Sequence, residues 1–152
     1  LIAGINFNIN VSLAGIFNAP YSLTNTSARD SATFTVPAFN PANLINAPAG
    51  ATHFRLINAI VGISDWVYNP ATSSYEPTDP TLNSLSDISY SAYLPLNATT
   101  PATNVTTNLP GTPTMTATVS VLNCIGIEFY QQVGGNYYLF AQGNALRCDT
   151  VF

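Results

Sequence analysis

Apolar and polar residues alternate along much of this 152-residue chain in the short runs that β-strands need. The most regular run extends from Gly4 to Leu13, where apolar residues occupy every second position from Ile5 onward. Alternation of period two is typical of a strand with one buried face. The run therefore predicts a first strand, and its apolar face consists of Ile5, Phe7, Ile9, Val11 and Leu13.

Shorter alternating runs follow, separated by proline, glycine, asparagine and serine. We expect strands over residues 32–37, 52–63, 88–94, 114–133, 137–141 and 146–152, and a hairpin formed by 66–68 and 74–76. We also expect an edge strand around Val105, one helical turn at 42–45, and loops at 23–30 and 77–85. Many short strands without a sustained 3.6-residue period indicate an all-β protein. The pattern predicts one domain over residues 1–152, an antiparallel β-sandwich or jelly roll of about eight to ten strands.

The charge content narrows the set of partners. Only 7% of the residues are charged, with three arginines, no lysine and a net charge of −4, whereas 47% are hydrophobic. Binding to nucleic acid needs many cationic side chains, and a polybasic membrane patch needs the same. The chain has no apolar run long enough to span a bilayer as a helix. We therefore expect neither a nucleic-acid partner nor membrane insertion.

The polarity of the predicted surface comes from asparagine, threonine and serine rather than from charges, which is commoner in extracellular β-proteins than in cytosolic enzymes. We therefore expect an extracellular or cell-surface location. The chain also begins without a methionine, directly in the predicted first strand. This beginning suggests a matured protein or a fragment from which a preceding segment has been removed.

Several stretches have distinctive sequences, namely FNIN at residues 7–10, PANLI at 41–45, APAGATHF at 47–54, GIEFYQ at 126–131, YYLF at 137–140 and GNAL at 143–146. They resemble the C-terminal portion of a group of uncharacterised proteins of Bacteroidetes bacteria, and the resemblance spans nearly the whole chain. The proteins of that group look longer, with a further N-terminal segment. The group has no assigned activity, so the resemblance implies no site residues.

Candidate catalytic residues are few. His53, the only histidine, lies two residues before Arg55 on a predicted strand, so both side chains share a face and could flank a carboxylate. A histidine in this setting is more often structural. Glycoside hydrolysis needs two acids held several ångströms apart, and the only glutamates are Glu76 and Glu128. Nothing favours hydrolysis, and we expect no enzymatic activity and no cofactor.

Four of the seven acids lie within one loop-rich region: Asp65, Glu76, Asp79 and Asp87. Calcium binds to several carboxylate and carbonyl oxygens, so this region could hold a surface ion. The spacing matches no calcium-binding motif, however, and solvated loop acids explain it as well. We therefore expect no metal site.

The only two cysteines, Cys124 and Cys148, leave two alternatives open. In an exported protein an even pair favours a disulfide, which here would enclose the Gly134–Gly135 turn and contribute roughly 3 kcal/mol. Two buried free thiols acting as small apolar side chains are the other alternative.

Two functions follow from these patterns. The first is a structural subunit of an extracellular fibre or pilus-like assembly, a homopolymer. Its copies would be joined when residues 1–13, which include the predicted first strand, are added to a neighbour's sheet edge. That strand could instead pair within its own domain. The second is a carbohydrate-binding module with a ligand platform of Trp66, Tyr68 and Tyr75, together with Tyr137 and Tyr138, although a lone tryptophan lies more often in a core.

Overall fold

The computed structural model describes residues 2–152, which form eleven strands and two short helices. Leu1, the first residue of the predicted domain and of the possible exchanged segment 1–13, lies outside the described residues. The elements are α1 (Leu13–Ile16), β1 (Ser22–Asn25), β2 (Ser31–Val36), α2 (Pro41–Leu44), β3 (His53–Ser64), β4 (Trp66–Asn69), β5 (Ser74–Pro77), β6 (Ser86–Tyr90), β7 (Leu94–Pro95), β8 (Thr103–Asn108), β9 (Val119–Val133), β10 (Asn136–Leu139) and β11 (Ala145–Val151).

The strands form two packed sheets and a separate hairpin. The larger sheet has the order β10-β9-β3-β6, with β11 beside β9 and β7 beside β3, and the smaller sheet has the order β1-β2-β8. Strands β4 and β5 pair only with each other within residues 2–152. Every pairing between these strands is antiparallel. The chain is an all-β antiparallel sandwich, as the alternation predicts.

The core lies between the two sheets. Strand β3 pairs along its whole length with β9, and alternate residues of both strands point toward the smaller sheet. The inward-facing side chains are almost fully buried and include Phe34, Val36, Phe54, Leu56, Ile125, Ile127 and Phe129. Phe54 and Leu56 share the buried face, and His53 and Arg55 share the opposite, outer face, as predicted. Full burial of each large apolar side chain contributes roughly 1.5 to 3 kcal/mol.

One polar side chain connects the sheets through this core. Asn58 of β3 has no exposed surface, and its Nδ2 donates to the carbonyl oxygens of Ala32 at 2.8 Å and Val105 at 2.9 Å in the smaller sheet. Its Oδ1 accepts from Asn123 Nδ2 at 2.6 Å, and its carbonyl oxygen accepts from Thr107 Oγ1 at 2.8 Å. Buried polar groups need such partners because an unpaired one is costly.

The predicted first strand is wrong. Residues 2–12, called here the N-terminal segment, contain turns and bends with one isolated bridge, between Asn6 and Arg147. Three backbone hydrogen bonds attach the segment to the free edge of β11 in its own chain. They join Gly4 N–H to Cys148 O at 2.7 Å, Cys148 N–H to Ile5 O at 2.9 Å, and Phe7 N–H to Leu146 O at 2.9 Å.

Polar side chains explain why the alternation does not produce a strand here. Asn8 Oδ1 accepts from the N–H of Asn10 at 2.9 Å, and Asn6 Oδ1 accepts from the N–H of Leu13 at 3.0 Å. Ser12 is the N-cap of α1, so the chain turns into a helix where the prediction continues a strand. Asparagine and serine compete with sheet hydrogen bonding in this way. The alternation of apolar and polar residues alone does not reveal that competition.

Smaller differences have similar causes. The predicted loop at 23–30 begins with strand β1, whose side chains are mostly exposed, because this edge strand faces solvent and needs no apolar alternation. The predicted strand at 88–94 divides into β6 and β7, and the predicted strand at 114–133 starts only at Val119. The helical turn, the 66–77 hairpin and the edge strand around Val105 are confirmed.

Candidate functional site

The β4–β5 hairpin presents three aromatic side chains on one face. In its register Tyr68 lies opposite Tyr75 and Trp66 lies opposite Pro77, so all four residues share a face. Trp66 is 55%, Tyr68 50% and Tyr75 68% exposed. The rings of Tyr68 and Tyr75 meet edge to face, with centroids 5.5 Å apart. We call Trp66, Tyr68 and Tyr75 the aromatic face.

The expectation that a lone tryptophan lies in the core is wrong for Trp66. Because the hairpin belongs to neither sheet of the sandwich within residues 2–152, its aromatic face has no second layer over it. The base of the hairpin is nevertheless fixed to the sandwich. Thr78 N–H donates to Asp65 O at 2.7 Å, and Asp79 N–H donates to Ser64 Oγ at 2.9 Å. The three rings are therefore held on an anchored projection.

The opposite face of the hairpin contains Val67 and Glu76, and its hydrogen bonds centre on Glu76. Its carboxylate accepts from Thr72 Oγ1 at 2.6 Å, from Asn69 Nδ2 at 2.9 Å and from Ser74 Oγ at 3.3 Å. These hydrogen bonds, that of Thr72 first, lower the pKa of Glu76 below its ordinary value. The carboxylate therefore closes the turn between β4 and β5 and supports the aromatic face from behind.

This arrangement predicts an acid-sensitive hairpin. Because the pKa of Glu76 is lower in the folded hairpin, its stabilisation is fully present above the ordinary carboxyl pKa and is lost as pH falls through the lowered pKa. Backbone amide shifts of residues 69–76 should change over that acid range, as measured by NMR. Glu76→Gln should remove this pH dependence, and Asp87→Asn should retain it. Backbone amide shifts of the wild-type hairpin that stay constant through the acid range would contradict the stabilising role of the Glu76 carboxylate.

The residues of the predicted assembly strand are divided between surface and core. Leu13 is buried in the main core and Val11 packs against it, whereas Ile5, Phe7 and Ile9 are exposed. Ile9 is 97% exposed, the highest value among the large apolar side chains of the described residues. The five residues therefore do not form one continuous apolar face.

A second aromatic group, which the sequence does not reveal, lies on the outer face of the larger sheet. The guanidinium carbon of Arg55 lies 4.4 Å from the ring centroid of Tyr90 and 4.9 Å from that of Tyr93. Tyr93 also stacks on Tyr137, with centroids 3.8 Å apart. Tyr130 donates to Glu128 Oε2 at 2.6 Å, and burial together with this bond raises the pKa of Tyr130 to about 12.

The charged side chains and rings of this group contact one another or the nearby backbone. Arg55 Nε donates to Ser91 O at 3.0 Å, and cation–π contacts with two tyrosines hold the guanidinium in place. His53 pairs with Thr52 Oγ1 at 2.9 Å and meets the ring of Tyr137 edge to face. The prediction that His53 and Arg55 share a face is confirmed, and each side chain contacts partners of its own.

The outer face also has a hollow of about 290 Å³, where Gly126 leaves β9 without a side chain between Ile57 and Leu146. A Cβ atom at Gly126 would lie 2.5 Å from the carbonyl oxygen of Ala145, so the strands themselves require glycine. The lining is largely apolar, with Phe7 at one side and Glu128 as its only carboxylate among the described residues. The glycine inside an apolar run is the sequence signal of this feature.

Two of the acids that suggested a calcium site have hydrogen-bond partners within the protein. Thr116 Oγ1 donates to Asp79 Oδ2 at 2.6 Å, and Asp87 Oδ1 accepts from the adjacent N–H of Ile88 at 2.8 Å. Within residues 2–152, no three histidine, cysteine, aspartate or glutamate side chains converge as a metal site would need.

Cys124 and Cys148 lie directly opposite each other on β9 and β11. Both are buried, and both are free thiols in the structure. Burial raises the pKa of Cys124 to about 12 and also raises that of Cys148. Together with Leu122 they form a small apolar cluster on the outer face.

Comparison with known proteins gives no match to a family model, a curated protein or a solved structure. Neither of the two helices described in residues 2–152 has the length and apolarity required to cross a membrane. Among the described residues, the aromatic face presents three exposed rings on one side of an anchored hairpin.

Proposed function

We propose that this protein is a non-catalytic carbohydrate-binding module that contacts polysaccharide through the aromatic face of the β4–β5 hairpin. The observation that carries the proposal is the exposure of Trp66, Tyr68 and Tyr75 on one side of an anchored projection. Contiguous exposed aromatic groups on a monomeric surface mark a site of interaction. Rigid rings present a large apolar area at little cost in side-chain entropy.

The chemistry of a sugar ring suits this surface. The C–H groups on one face of a pyranose are apolar, so they pack against an aromatic ring, while the hydroxyl groups at the ring edge remain free to hydrogen-bond. Trp66 and Tyr68 lie two residues apart on β4, which spaces their side chains by about 6.6 Å along the strand. A chain of linked sugars could therefore cover successive rings.

The charge distribution supports a neutral ligand. With only 7% charged residues and a net charge of −4, the protein attracts neither nucleic acid nor other polyanions. The one carboxylate within the hairpin, Glu76, is satisfied by three side chains on the opposite face. A neutral polysaccharide outside the cell or at the cell surface meets these conditions, and the proposal includes that location.

Retention on insoluble polysaccharides tests the proposal. Purified protein is incubated with cellulose, chitin, raw starch and mannan, and the bound fraction is measured after washing in low and in high salt. We expect retention on at least one matrix, with little dependence on salt because the contacts are not ionic. Absence of binding to all four matrices and to a broad glycan array would overturn the proposal.

A second candidate function is self-assembly through the N-terminal segment. The specific observation is the exposure of Ile5, Phe7 and Ile9 beside a backbone that already pairs with the edge of β11. The same hydrogen bonds would form if the segment of one copy replaced that of another, which is the basis of strand exchange. The product would be a homopolymer of the kind that builds extracellular fibres.

Sedimentation velocity over a wide concentration range tests self-assembly. If the segment joins copies, the wild-type protein should form concentration-dependent oligomers, and a Phe7→Ser, Ile9→Ser double variant should remain monomeric. Val133→Ser provides a control, because Val133 is similarly exposed but lies on β9. A wild-type protein that stays monomeric at every concentration would contradict this second function.

A further inference from the structure

We infer that Cys124 and Cys148, which are free thiols in the structure, can be oxidised to an intramolecular cross-strand disulfide that locks β11 onto β9 beside the N-terminal segment. The two residues are register partners in the antiparallel pair of β9 and β11. Directly opposed residues share a face of the sheet, so both side chains lie on the outer face. The inference is independent of the proposed carbohydrate site, which lies on the separate β4–β5 hairpin.

The backbone hydrogen bonds show which kind of cross-strand pair this is. The N–H of Cys148 donates to Ile5 O at 2.9 Å, and its carbonyl oxygen accepts from the N–H of Gly4 at 2.7 Å. Both groups therefore point away from β9 and toward the N-terminal segment. Cys124 and Cys148 thus form a non-hydrogen-bonded pair, the narrower of the two antiparallel arrangements, with Cα atoms about 4.5 Å apart. That separation lies within the range of disulfides, about 4.4 to 6.8 Å.

The surroundings favour a structural bridge over a reactive thiol. Cys148 has no exposed surface and Cys124 only 7%. The thiols pack with Leu122, Ala59 and Leu146 in an apolar cluster. The thiolate form of a cysteine is disfavoured in such a place, and burial limits access to it. The two thiols therefore react slowly once β11 and the N-terminal segment are in position. We therefore place bridge formation during folding, before that segment pairs with the edge of β11 at Cys148.

The oxidant belongs to the class of low-molecular-weight disulfides. The thiolate of one cysteine attacks a sulfur of the oxidant, forming a mixed disulfide and releasing one small thiolate. The thiolate of the second cysteine then attacks the protein sulfur of that mixed disulfide, and the second small thiolate leaves. Two cysteine thiols are oxidised, one small disulfide is reduced to two thiols, and the two protons pass to the released thiolates.

The test uses refolding of the full chain with oxidised glutathione as the probe, followed by arginine-specific digestion without reductant. Trypsin cuts this lysine-free chain after Arg29, Arg55 and Arg147, so Cys124 falls in peptide 56–147 and Cys148 in peptide 148–152. We expect the two peptides to remain linked until reductant is added. The oxidised protein should also melt about 10 °C higher than the reduced protein.

Two variants distinguish the effect of the disulfide from that of the side-chain packing around the two cysteines. Cys148→Ser should release peptide 148–152 without reductant, and a Cys124→Ser, Cys148→Ser double variant should melt at the same temperature with and without reductant. Two thiols still titratable after refolding would overturn the inference, as would a linked peptide found only in covalent dimers. Equal melting temperatures of the oxidised and reduced wild-type proteins would overturn the locking role.

Discussion

Replacing Asn58 by leucine should lower the free energy of unfolding by about 3 to 5 kcal/mol, among the largest effects expected of a single change in this chain. Leucine has a similar volume, so the loss does not come from a cavity. It comes from the carbonyl oxygens of Ala32 and Val105 and from the Nδ2 of Asn123, all of which lose a partner in the core. Urea denaturation followed by circular dichroism measures the change.

Asn104→Leu is the matched control, because Asn104 lies on β8 next to Val105 but is exposed. Its effect should stay within about 0.5 kcal/mol of zero. The two variants make the same chemical change, so their difference isolates the buried hydrogen bonds. If the Asn58→Leu protein were as stable as the wild-type protein, the hydrogen bonds of Asn58 would make no net contribution to the free energy of unfolding.

Truncation of the aromatic face should produce the second large effect. Trp66→Ala should weaken polysaccharide binding at least about thirtyfold, corresponding to about 2 kcal/mol, because exposed aromatic anchors dominate binding energy. Tyr68→Ala and Tyr75→Ala should each weaken it by a smaller factor. Isothermal titration with a soluble oligosaccharide of the matrix that retains the protein measures these affinities.

Tyr138→Ala is the control for these variants. Tyr138 is 58% exposed, comparable to Trp66, but lies on β10 in the larger sheet. It was one of the two further tyrosines in the predicted platform, and the structure separates it from the hairpin. Unchanged affinity in Tyr138→Ala, with loss in Trp66→Ala, localises the ligand to the hairpin. The reverse result would move the binding site to the larger sheet.

The strands of the core could be predicted from sequence because apolar alternation and burial coincide in them. Phe54 and Leu56 face the smaller sheet as the pattern requires, and their strand pairs with β9, where Phe129 and Ile127 lie opposite them. In the N-terminal segment Asn6, Asn8 and Ser12 offer the backbone other partners, and the strand is lost. Local side-chain hydrogen bonds decided between two structures that the apolar pattern could not distinguish.

The candidate site was only partly predictable. The sequence places Trp66 and Tyr68 on one side of a hairpin, but their exposure depends on whether another layer covers that hairpin, and strand order decides this. The hydrogen bonds from Asn58 to the smaller sheet could not be predicted from the sequence for a similar reason. An asparagine within an apolar strand signals a buried polar contact, but its partners lie in a different sheet. Long-range placement therefore required the structure.

Fluorescence of Trp66 tests the central proposal most directly, because it is the only tryptophan and lies on the aromatic face. An oligosaccharide titration is followed by emission and by calorimetry on the same sample. If sugar stacks on the hairpin, the emission should shift to shorter wavelength and saturate at the calorimetric midpoint, in the wild-type protein and in Tyr138→Ala alike. Calorimetric binding with unchanged Trp66 emission, or no binding of any oligosaccharide, would contradict the account.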